Sequence, residues 1–228
     1  MFLIGIDDAG RGPLIGPMIL AGVLIKKEGE RGLKKLGAKD SKLLAHSERI
    51  RLAEMIKKHV RKYHFVKASP SEIDKAVLHG KNLNTLEAQK MAEVINELND
   101  KKNKIKVIVD CPSINIKKWS EKLLSFISHA ENLTVVCEHK ADFNHPVVSG
   151  ASILAKVMRE EEVAKIKREY GNIGSGYPSD PFTKSFLREH GERLKDSGIF
   201  RKSWATWKEM FPQQEEKEKR GQKTIFDY

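Results

Sequence analysis

The apolar residues of the chain form short runs, which are separated by stretches where apolar positions recur every three or four residues. The short runs are rich in Ile, Val and Leu and predict strands; they cover 2–7, 18–25, 63–68, 106–110 and 133–137. The three-to-four spacing predicts amphipathic helices, at 47–60, 84–98, 115–128, 147–169, 181–190 and 203–211. Strands that alternate with helices predict an α/β domain around a central sheet, and the two closely spaced opening strands predict that this sheet is mixed.

Three of the helix starts carry capping signals. Ser47 is predicted as the N-cap of the helix that begins at 47, and Ser69-Pro70-Ser71-Glu72 indicates another helix start. Asn84, with Glu87 three residues later, predicts a capping box at the start of the helix over 84–98.

The composition changes at Pro212. Residues 212–228 are polar and charged until the last few positions, which is typical of a flexible tail. Residues 1–211 are therefore predicted to form the folded domain.

The net charge narrows the class of partner. The chain carries 42 Lys and Arg against 31 Asp and Glu, a formal net charge of +11. Such a balance favours polyanionic partners, with nucleic acid first and an anionic membrane surface second. A lysine-rich, well-solvated surface explains the same number equally well, so charge alone does not decide.

The cysteine pattern bears on metal sites and on the compartment. The two cysteines, Cys111 and Cys137, form no C-x-x-C pair, which argues against a zinc site built on thiolates. We interpret them as small buried hydrophobes in a reduced intracellular protein, and a disulfide between them stays open. The N-terminus lacks the features of a signal peptide and no apolar run is long enough for a membrane span, so we expect a cytoplasmic protein.

Four acids are placed where catalytic carboxylates are expected. Asp7 and Asp8 close the first strand, Asp110 closes the strand over 106–110, and Asp142 precedes the long helix. Sites in open α/β sheets form beyond the strand ends, and carboxylates gathered there repel one another unless a cation lies between them. Oxygen ligands suit Mg²⁺ or Mn²⁺, and two such ions can cleave a phosphodiester. Each acid taken singly could be an ordinary turn residue; the interpretation depends on their joint pattern.

Two short loops add candidate substrate contacts. Gly10-Arg11-Gly12 combines glycines, which let the backbone approach a ligand closely, with an arginine that can donate to phosphate or sugar oxygens. Asp40-Ser41-Lys42 places a hydroxyl beside an ammonium group, which suits a phosphate, although such a tripeptide is also common in surface turns.

Together these motifs resemble a known family, type 2 ribonuclease H of the archaeal RNase HII type. The matching segments occur in the family's order and spacing: GIDDAGRGPLIGPM, KDSKLL, VIVD, EHKAD, PVVSGASILAKVMRE and GSGYPSDP. The resemblance implies an RNase H-like fold, in which a mixed five-stranded sheet is flanked by helices, followed by C-terminal helices. It implies endonucleolytic cleavage of RNA in RNA–DNA hybrids and at ribonucleotides embedded in duplex DNA, with 5′-phosphate and 3′-hydroxyl products and two Mg²⁺ or Mn²⁺ ions.

The resemblance also assigns residues. The family's four catalytic and metal-binding acids fall on Asp7, Asp8, Asp110 and Asp142. Substrate-binding positions fall on Gly10, Arg11 and Gly12, which would sense the ribose 2′-hydroxyl, and on Tyr177, which would stack on the following deoxyribose. Further substrate positions fall on Ser41, Lys42, Lys140, Ser149 and Arg159.

The chain departs from the family pattern at two positions. Asp8 stands where the family has glutamate, and Gly150 stands where it usually has alanine. Aspartate keeps the charge but is one methylene shorter, so we expect slower activity or a shift toward Mn²⁺. A hybrid- or junction-binding protein that has weakened or lost catalysis is therefore kept as an alternative, and a related nuclease acting on DNA as a third.

The end of the tail resembles a docking motif for the sliding clamp (PCNA). Gln222, Ile225 and Tyr228 match its spacing, with an aliphatic and an aromatic anchor on one short turn. The alternative is a disordered tail that happens to contain a few apolar residues. Nothing in the sequence indicates a dimer interface, so we expect a monomer.

Overall fold

In the computed structural model, which describes residues 1–36, 45–80 and 82–212, the apolar runs pair into a five-stranded sheet. The strands are Phe2–Ala9 (β1), Met18–Lys26 (β2), Lys62–Ala68 (β3), Ile105–Asp110 (β4) and Leu133–Glu138 (β5). Their order is β3-β2-β1-β4-β5; β1, β2 and β3 pair antiparallel, whereas β1, β4 and β5 pair parallel. The predicted mixed sheet is confirmed, and the carboxyl ends of β1, β4 and β5 meet at one edge.

The helices lie on both sides of this sheet. Their bounds are Glu30–Lys35 (α1), His46–His59 (α2), Pro70–Leu78 (α3), Leu83–Leu98 (α4), Ile116–Leu124 (α5), Ala141–Asn144 (α6), Pro146–Tyr170 (α7), Pro181–His190 (α8) and Ala205–Met210 (α9). The prediction for α8 is confirmed. The helix α5 ends at Leu124, four residues earlier than predicted, because Ser125 is its C-cap. The helix α9 begins two residues later than predicted.

Side-chain alternation along β1 divides the interior into two cores. Leu3 packs into the core formed with α2 and α7, whereas Ile4 and Ile6 pack against α4 and α5 on the opposite face. A third apolar cluster joins Leu14 and Ile15 to the C-terminal helices. The C-terminal part is thus packed against the loop that follows β1, where the candidate site lies.

Two of the predicted caps are wrong. The helix predicted to start with Ser47 begins at His46 with Ala45 as its N-cap. The N-cap of α4 is Asn82, whose side chain accepts the Thr85 amide, because Asn82 is the residue that is still extended. The start at Ser69 is confirmed as a full capping box with Glu72.

The two thiols are free. Cys111 is buried and Cys137 is partly buried, and both belong to the core on the α4 side of the sheet. Burial raises the pKa of both thiols, so they are protonated small hydrophobes, as the sequence suggested. In the part of the chain that the structure covers, no helix combines the length and apolarity that a bilayer crossing needs.

Gly150 lies inside α7 with ordinary room for a methyl group. A Cβ at this position would lie 3.7 Å from Ile56 and 3.8 Å from Leu33 and Val23. Because alanine is favoured over glycine in a helix interior by roughly 1 kcal/mol, we expect Gly150→Ala to raise Tm by about 2–4 °C. Thermal unfolding of both proteins in the same buffer measures this shift, and a lower Tm for the variant would contradict such packing around α7.

Candidate active site

Asp7 lies at the carboxyl edge of the sheet beside Asp110. The parallel register of β1 and β4 pairs Ile6 with Val109, so Asp7 and Asp110 are the next residues on the two strands. β1 continues to Ala9, which places Asp7 and Asp8 within the last residues of the strand rather than after it. Asp7 is only 4% exposed, and its Oδ1 accepts the Asp8 amide at 2.7 Å.

The carboxylates of this edge repel one another. Burial, followed by the charges of Asp8 and Asp110, raises the pKa of Asp7 well above its usual range, although the neighbouring Ser152 hydroxyl acts in the opposite direction. Burial also raises the pKa of Asp8 to about 6, with Asp110 adding to the rise and Arg11 opposing it. Three acids held this close in a poorly hydrated place favour either a proton or a cation.

Asp110 is oriented from the turn between β5 and α6. Its Oδ1 accepts the Ala141 amide at 2.9 Å. Lys140, the residue before that amide, adopts a left-handed conformation with φ of 57°, and this bend aims the amide back toward β4. The side chain of Lys140 is exposed at the start of α6, so the predicted substrate contact lies next to a carboxylate of the site.

Asp142 lies on α6, whereas the other three acids lie on strands of the sheet. It belongs to the single turn of α6, is half-buried, and lines a small pocket together with Ser149, Phe143, Asn144 and Lys34. Ser149, another predicted site residue, is buried on α7. Three of the four predicted acids therefore lie on strands, and the fourth lies on the short helix that follows β5.

The carboxylates fit divalent ions of the magnesium type. Within residues 1–36, 45–80 and 82–212, no three His, Cys, Asp or Glu side chains form a ready-made metal cage. Mg²⁺ is commonly held by one or two carboxylates, several waters and the phosphates of its substrate, so a complete protein cage is not required. The donors Asp7, Asp8 and Asp110 are oxygen-only, and their mutual repulsion is relieved by a cation.

A groove of about 440 Å³ runs from Asp8 to the predicted recognition loop. It is lined by Asp8, Ala9, Gly10, Arg11, Gly12, Arg49, Lys156, Arg159, Glu160 and Tyr177. Five of the predicted substrate residues, Gly10, Arg11, Gly12, Arg159 and Tyr177, are thus brought together around one groove. Basic side chains outnumber acidic ones in this lining, which suits a phosphate backbone.

Arg159 joins the loop to Tyr177. Its guanidinium lies 5.1 Å from the centre of the Tyr177 ring, and its Nη2 donates to the Ser175 carbonyl at 3.2 Å. Gly10 has a φ of +87°, and a Cβ there would lie 2.6 Å from Cδ of Arg159. Glycine is therefore required at position 10 both by its backbone conformation and by the close approach of Arg159.

Arg11 points toward α4 rather than lying free in the groove. Its guanidinium pairs with Glu87, and its Nη2 donates to Asn84 Oδ1 at 2.5 Å. Glu87 is completely buried. The spacing of Asn84 and Glu87 predicts a capping box. In the structure these two side chains instead hold the guanidinium of Arg11.

Sequence reasoning missed two residues that contact the loop. Arg201 and Trp204 lie in the segment before α9, and their side chains donate to loop carbonyls. The available signal was an arginine in the segment Ile199-Phe200-Arg201, where an apolar pair indicates that the following residue is near the interior. Two other groups of predicted site residues, Ser41 with Lys42 and Gln222 with Ile225 and Tyr228, fall outside the residues that the structure describes.

The chain is similar to known proteins over almost its whole length. A family model described as Ribonuclease HII matches residues 4–207. The Ribonuclease HII of Pyrococcus abyssi is 38% identical over 231 residues, which cover 100% of this chain and 97% of that protein.

Two solved structures have the same fold over almost the whole described chain. The crystal structure of the ribonuclease H2 from Pyrococcus horikoshii OT3 matches with a TM-score of 0.84 and 36% identity, covering 92% of this chain and 97% of that one. The PCNA:RNase HII complex from Archaeoglobus fulgidus matches with a TM-score of 0.79 and 37% identity, covering 90% and 95%. With this fold and this carboxylate edge, the chain belongs to the ribonuclease HII family and is a ribonuclease H that acts on RNA–DNA hybrids.

Proposed function

We propose that the chain is an endonuclease that cuts the RNA strand of hybrids and also cuts at single ribonucleotides embedded in duplex DNA, leaving 5′-phosphate and 3′-hydroxyl ends. One observation carries this proposal: Asp8, which follows Asp7 on β1 and senses the charge of Asp110, lines the same groove as the Gly10–Gly12 loop. A scissile phosphate at the carboxylates would therefore place its ribose at the loop.

In this proposal Asp7, Asp8 and Asp110 would hold two divalent ions, and Asp142 would support one of them. Bound ions of this kind activate a water and stabilise the leaving oxygen of a phosphodiester. Asp110 is kept in one orientation by the Ala141 amide, and Asp7 is kept in place by its burial and by the Asp8 amide. The carboxylates are thus preorganised before substrate arrives, which reduces the cost of assembling the site.

Recognition follows sugar identity in this arrangement. Backbone amides of the Gly10–Gly12 loop can bond a 2′-hydroxyl, which only RNA has. The Tyr177 ring, backed by Arg159 at 5.1 Å, offers a flat surface for the next sugar. Neither contact depends on the base, so cleavage should vary little with sequence.

The test uses three end-labelled duplexes: an RNA–DNA hybrid, a DNA duplex with one ribonucleotide, and an all-DNA control. We expect cleavage of the first two in Mg²⁺, with the cut on the 5′ side of the ribonucleotide in the second, and no cleavage in EDTA. Binding without any metal-dependent cutting would instead identify a hybrid-binding protein, and equal cutting of the all-DNA duplex would identify a DNA nuclease.

Asp8 provides a prediction about the choice of metal. Because the aspartate is one methylene shorter than the family's glutamate, we expect Asp8→Glu to increase the rate in Mg²⁺ roughly tenfold or less, and to change the rate in Mn²⁺ little. Initial rates on the single-ribonucleotide duplex in each metal measure the effect. Equal rates of the two proteins in Mg²⁺ would show that Asp8 is no handicap.

The tail provides a prediction about partners. The Archaeoglobus fulgidus relative has been solved as a PCNA:RNase HII complex. In this chain Gln222, Ile225 and Tyr228 have the spacing of the clamp-docking motif. We expect a chain that ends at Arg220 to lose clamp binding in size-exclusion or calorimetric experiments, and Ile225→Ala to weaken it about tenfold or more. Thr224→Ala, between Gln222 and Ile225, is the matched control. Full clamp binding by the shortened chain would show that the tail is not part of the interface.

A further inference from the structure

Arg201 is a buried cation whose position the catalytic proposal does not explain. It is completely buried, although a buried charge is costly unless hydrogen bonds replace its water. Three backbone carbonyl oxygens accept these bonds. Nη2 donates to Gly10 at 2.6 Å and to Gly16 at 2.9 Å, Nη1 donates to Arg11 at 2.8 Å, and Nε donates to Gly16 at 3.0 Å. Arginine fits such a place because its planar fork presents several donors in fixed directions.

Trp204 completes the same arrangement. Its Nε1 donates to the Gly12 carbonyl at 3.1 Å, and its ring lies 5.1 Å from the Arg201 guanidinium. All three carbonyls of the segment Gly10–Gly12 are therefore bonded by two side chains from the C-terminal part of the domain.

The orientation of the carbonyls determines where the amides point. In a trans peptide the N–H and the C=O point in opposite directions. When the Gly10 and Arg11 carbonyls are drawn toward Arg201, the Arg11 and Gly12 amides are turned away from it. Among the residues that the structure describes, neither amide has a hydrogen-bond acceptor, so both are available to a ligand.

The segment that carries Arg201 and Trp204 is itself hydrogen-bonded to α3. The carboxylate of Asp74, on α3, accepts the Lys202 amide at 2.8 Å and both the amide and the hydroxyl of Ser203, at 2.8 and 2.6 Å. The loop, the C-terminal segment and α3 therefore form one rigid connection.

We propose that Arg201 and Trp204 are positioning residues that set ribose recognition, because they hold the Arg11 and Gly12 amides toward the 2′-hydroxyl. This inference rests on the function proposed above and names the part of the fold that makes its recognition loop rigid. A loop without these bonds could turn its peptides, and the discrimination between ribose and deoxyribose would fall while the carboxylates stayed in place.

The experiment compares two conservative variants with a control from the same segment. Trp204→Phe keeps an aromatic ring beside Arg201 and removes only the donor to Gly12. Arg201→Lys keeps the charge but cannot bond three carbonyls at once. Ser203→Ala is the matched control, since it removes one of three hydrogen bonds to Asp74 and leaves both amide bonds and every loop-carbonyl bond in place.

Two ratios are measured for each protein. The first is the affinity for a duplex with one ribonucleotide divided by the affinity for the all-DNA duplex, from fluorescence anisotropy in EDTA. The second is kcat/KM in Mg²⁺ on the single-ribonucleotide duplex divided by kcat/KM on a long hybrid, with kcat and KM also compared separately. We expect Trp204→Phe to lower the first ratio roughly tenfold, and Arg201→Lys to lower it further. We expect Ser203→Ala to leave this ratio unchanged, although it lowers Tm by an amount comparable to that of the other two variants.

The outcomes separate this inference from the proposed function. If the wild type does not discriminate ribose from deoxyribose, the proposed function and this inference both fail. If the wild type discriminates and Trp204→Phe does so equally, only the positioning role fails. An equal fall in Ser203→Ala would show that general loosening, and not the loop carbonyls, is responsible. Should Arg201→Lys not fold, Trp204→Phe decides alone.

Discussion

Replacing Asp7 with asparagine is expected to remove most of the cleavage activity while making the metal-free protein more stable. The asparagine side chain would keep the shape and the bond to the Asp8 amide, but it carries no charge to hold an ion. Mutations of groups that merely support a metal ligand cost about 10–100-fold in activity, so the loss of a ligand should exceed roughly 100-fold. Both effects come from one cause, which is the crowding of carboxylates at the edge of the sheet.

The stability effect has a definite pH dependence. The pKa values of Asp7 and Asp8 are raised in the folded protein, that of Asp8 from 3.8 to about 6. A raised folded-state pKa contributes stability that is fully present below the unfolded value and is lost as pH rises through the folded value. Without metal, the wild type should therefore lose stability between about pH 4 and pH 6–7, by on the order of 2–3 kcal/mol or roughly 5–10 °C in Tm.

Thermal unfolding in EDTA across this pH range, with and without added Mg²⁺, measures the effect. We expect the fall in Tm to be smaller in Asp7→Asn, and Mg²⁺ to restore the wild type more than the variant, since a ligand that binds the folded state stabilises it. Glu48→Gln, which removes an exposed acid of α2 paired with Arg51, is the control for a simple change in net charge. A variant that is less stable than the wild type at about pH 8 in EDTA would contradict the proposed repulsion.

The sheet and the carboxylates on it could be predicted from the sequence because each depends on local pattern. Short Ile- and Val-rich runs predict the strands to within one or two residues. Asp7 and Asp110 could be placed at one edge since parallel strands end at the same side of a sheet, and the register of β1 and β4 makes them neighbours.

The parts that could not be predicted depend on contacts between distant segments. Glu87 follows Asn84 at the spacing of a capping box, yet the start of α4 is decided by Asn82, and Glu87 is buried against Arg11, which lies far earlier in the chain. Arg201 lies about 190 residues from the carbonyls it bonds. Contacts between segments so far apart in the chain cannot be predicted from capping or amphipathic patterns, because those patterns extend over only a few residues.

Gly5→Ala is expected to have a very large effect on folding, although the residue lies outside the active site. β1 and α7 touch at this glycine: a Cβ would collide with the Val147 carbonyl and lie 2.6 Å from the Val148 amide nitrogen. Those atoms belong to the backbone at the first turn of α7, so they cannot move aside like the end of a flexible side chain. Either the strand or the whole helix has to shift.

We expect Gly5→Ala to lower the free energy of unfolding by more than about 3 kcal/mol, a large share of the roughly 5–15 kcal/mol typical of a domain. Denaturant unfolding followed by far-ultraviolet circular dichroism measures the loss, and Gly150→Ala is the matched control, because it adds the same methyl group on α7 where there is room. Because β1 carries Asp7 and α7 carries Ser149, any shift between them also displaces the site. Activity should therefore fall even under conditions where the variant stays folded, and an active, fully stable Gly5→Ala would mean that strand and helix do not touch at this glycine.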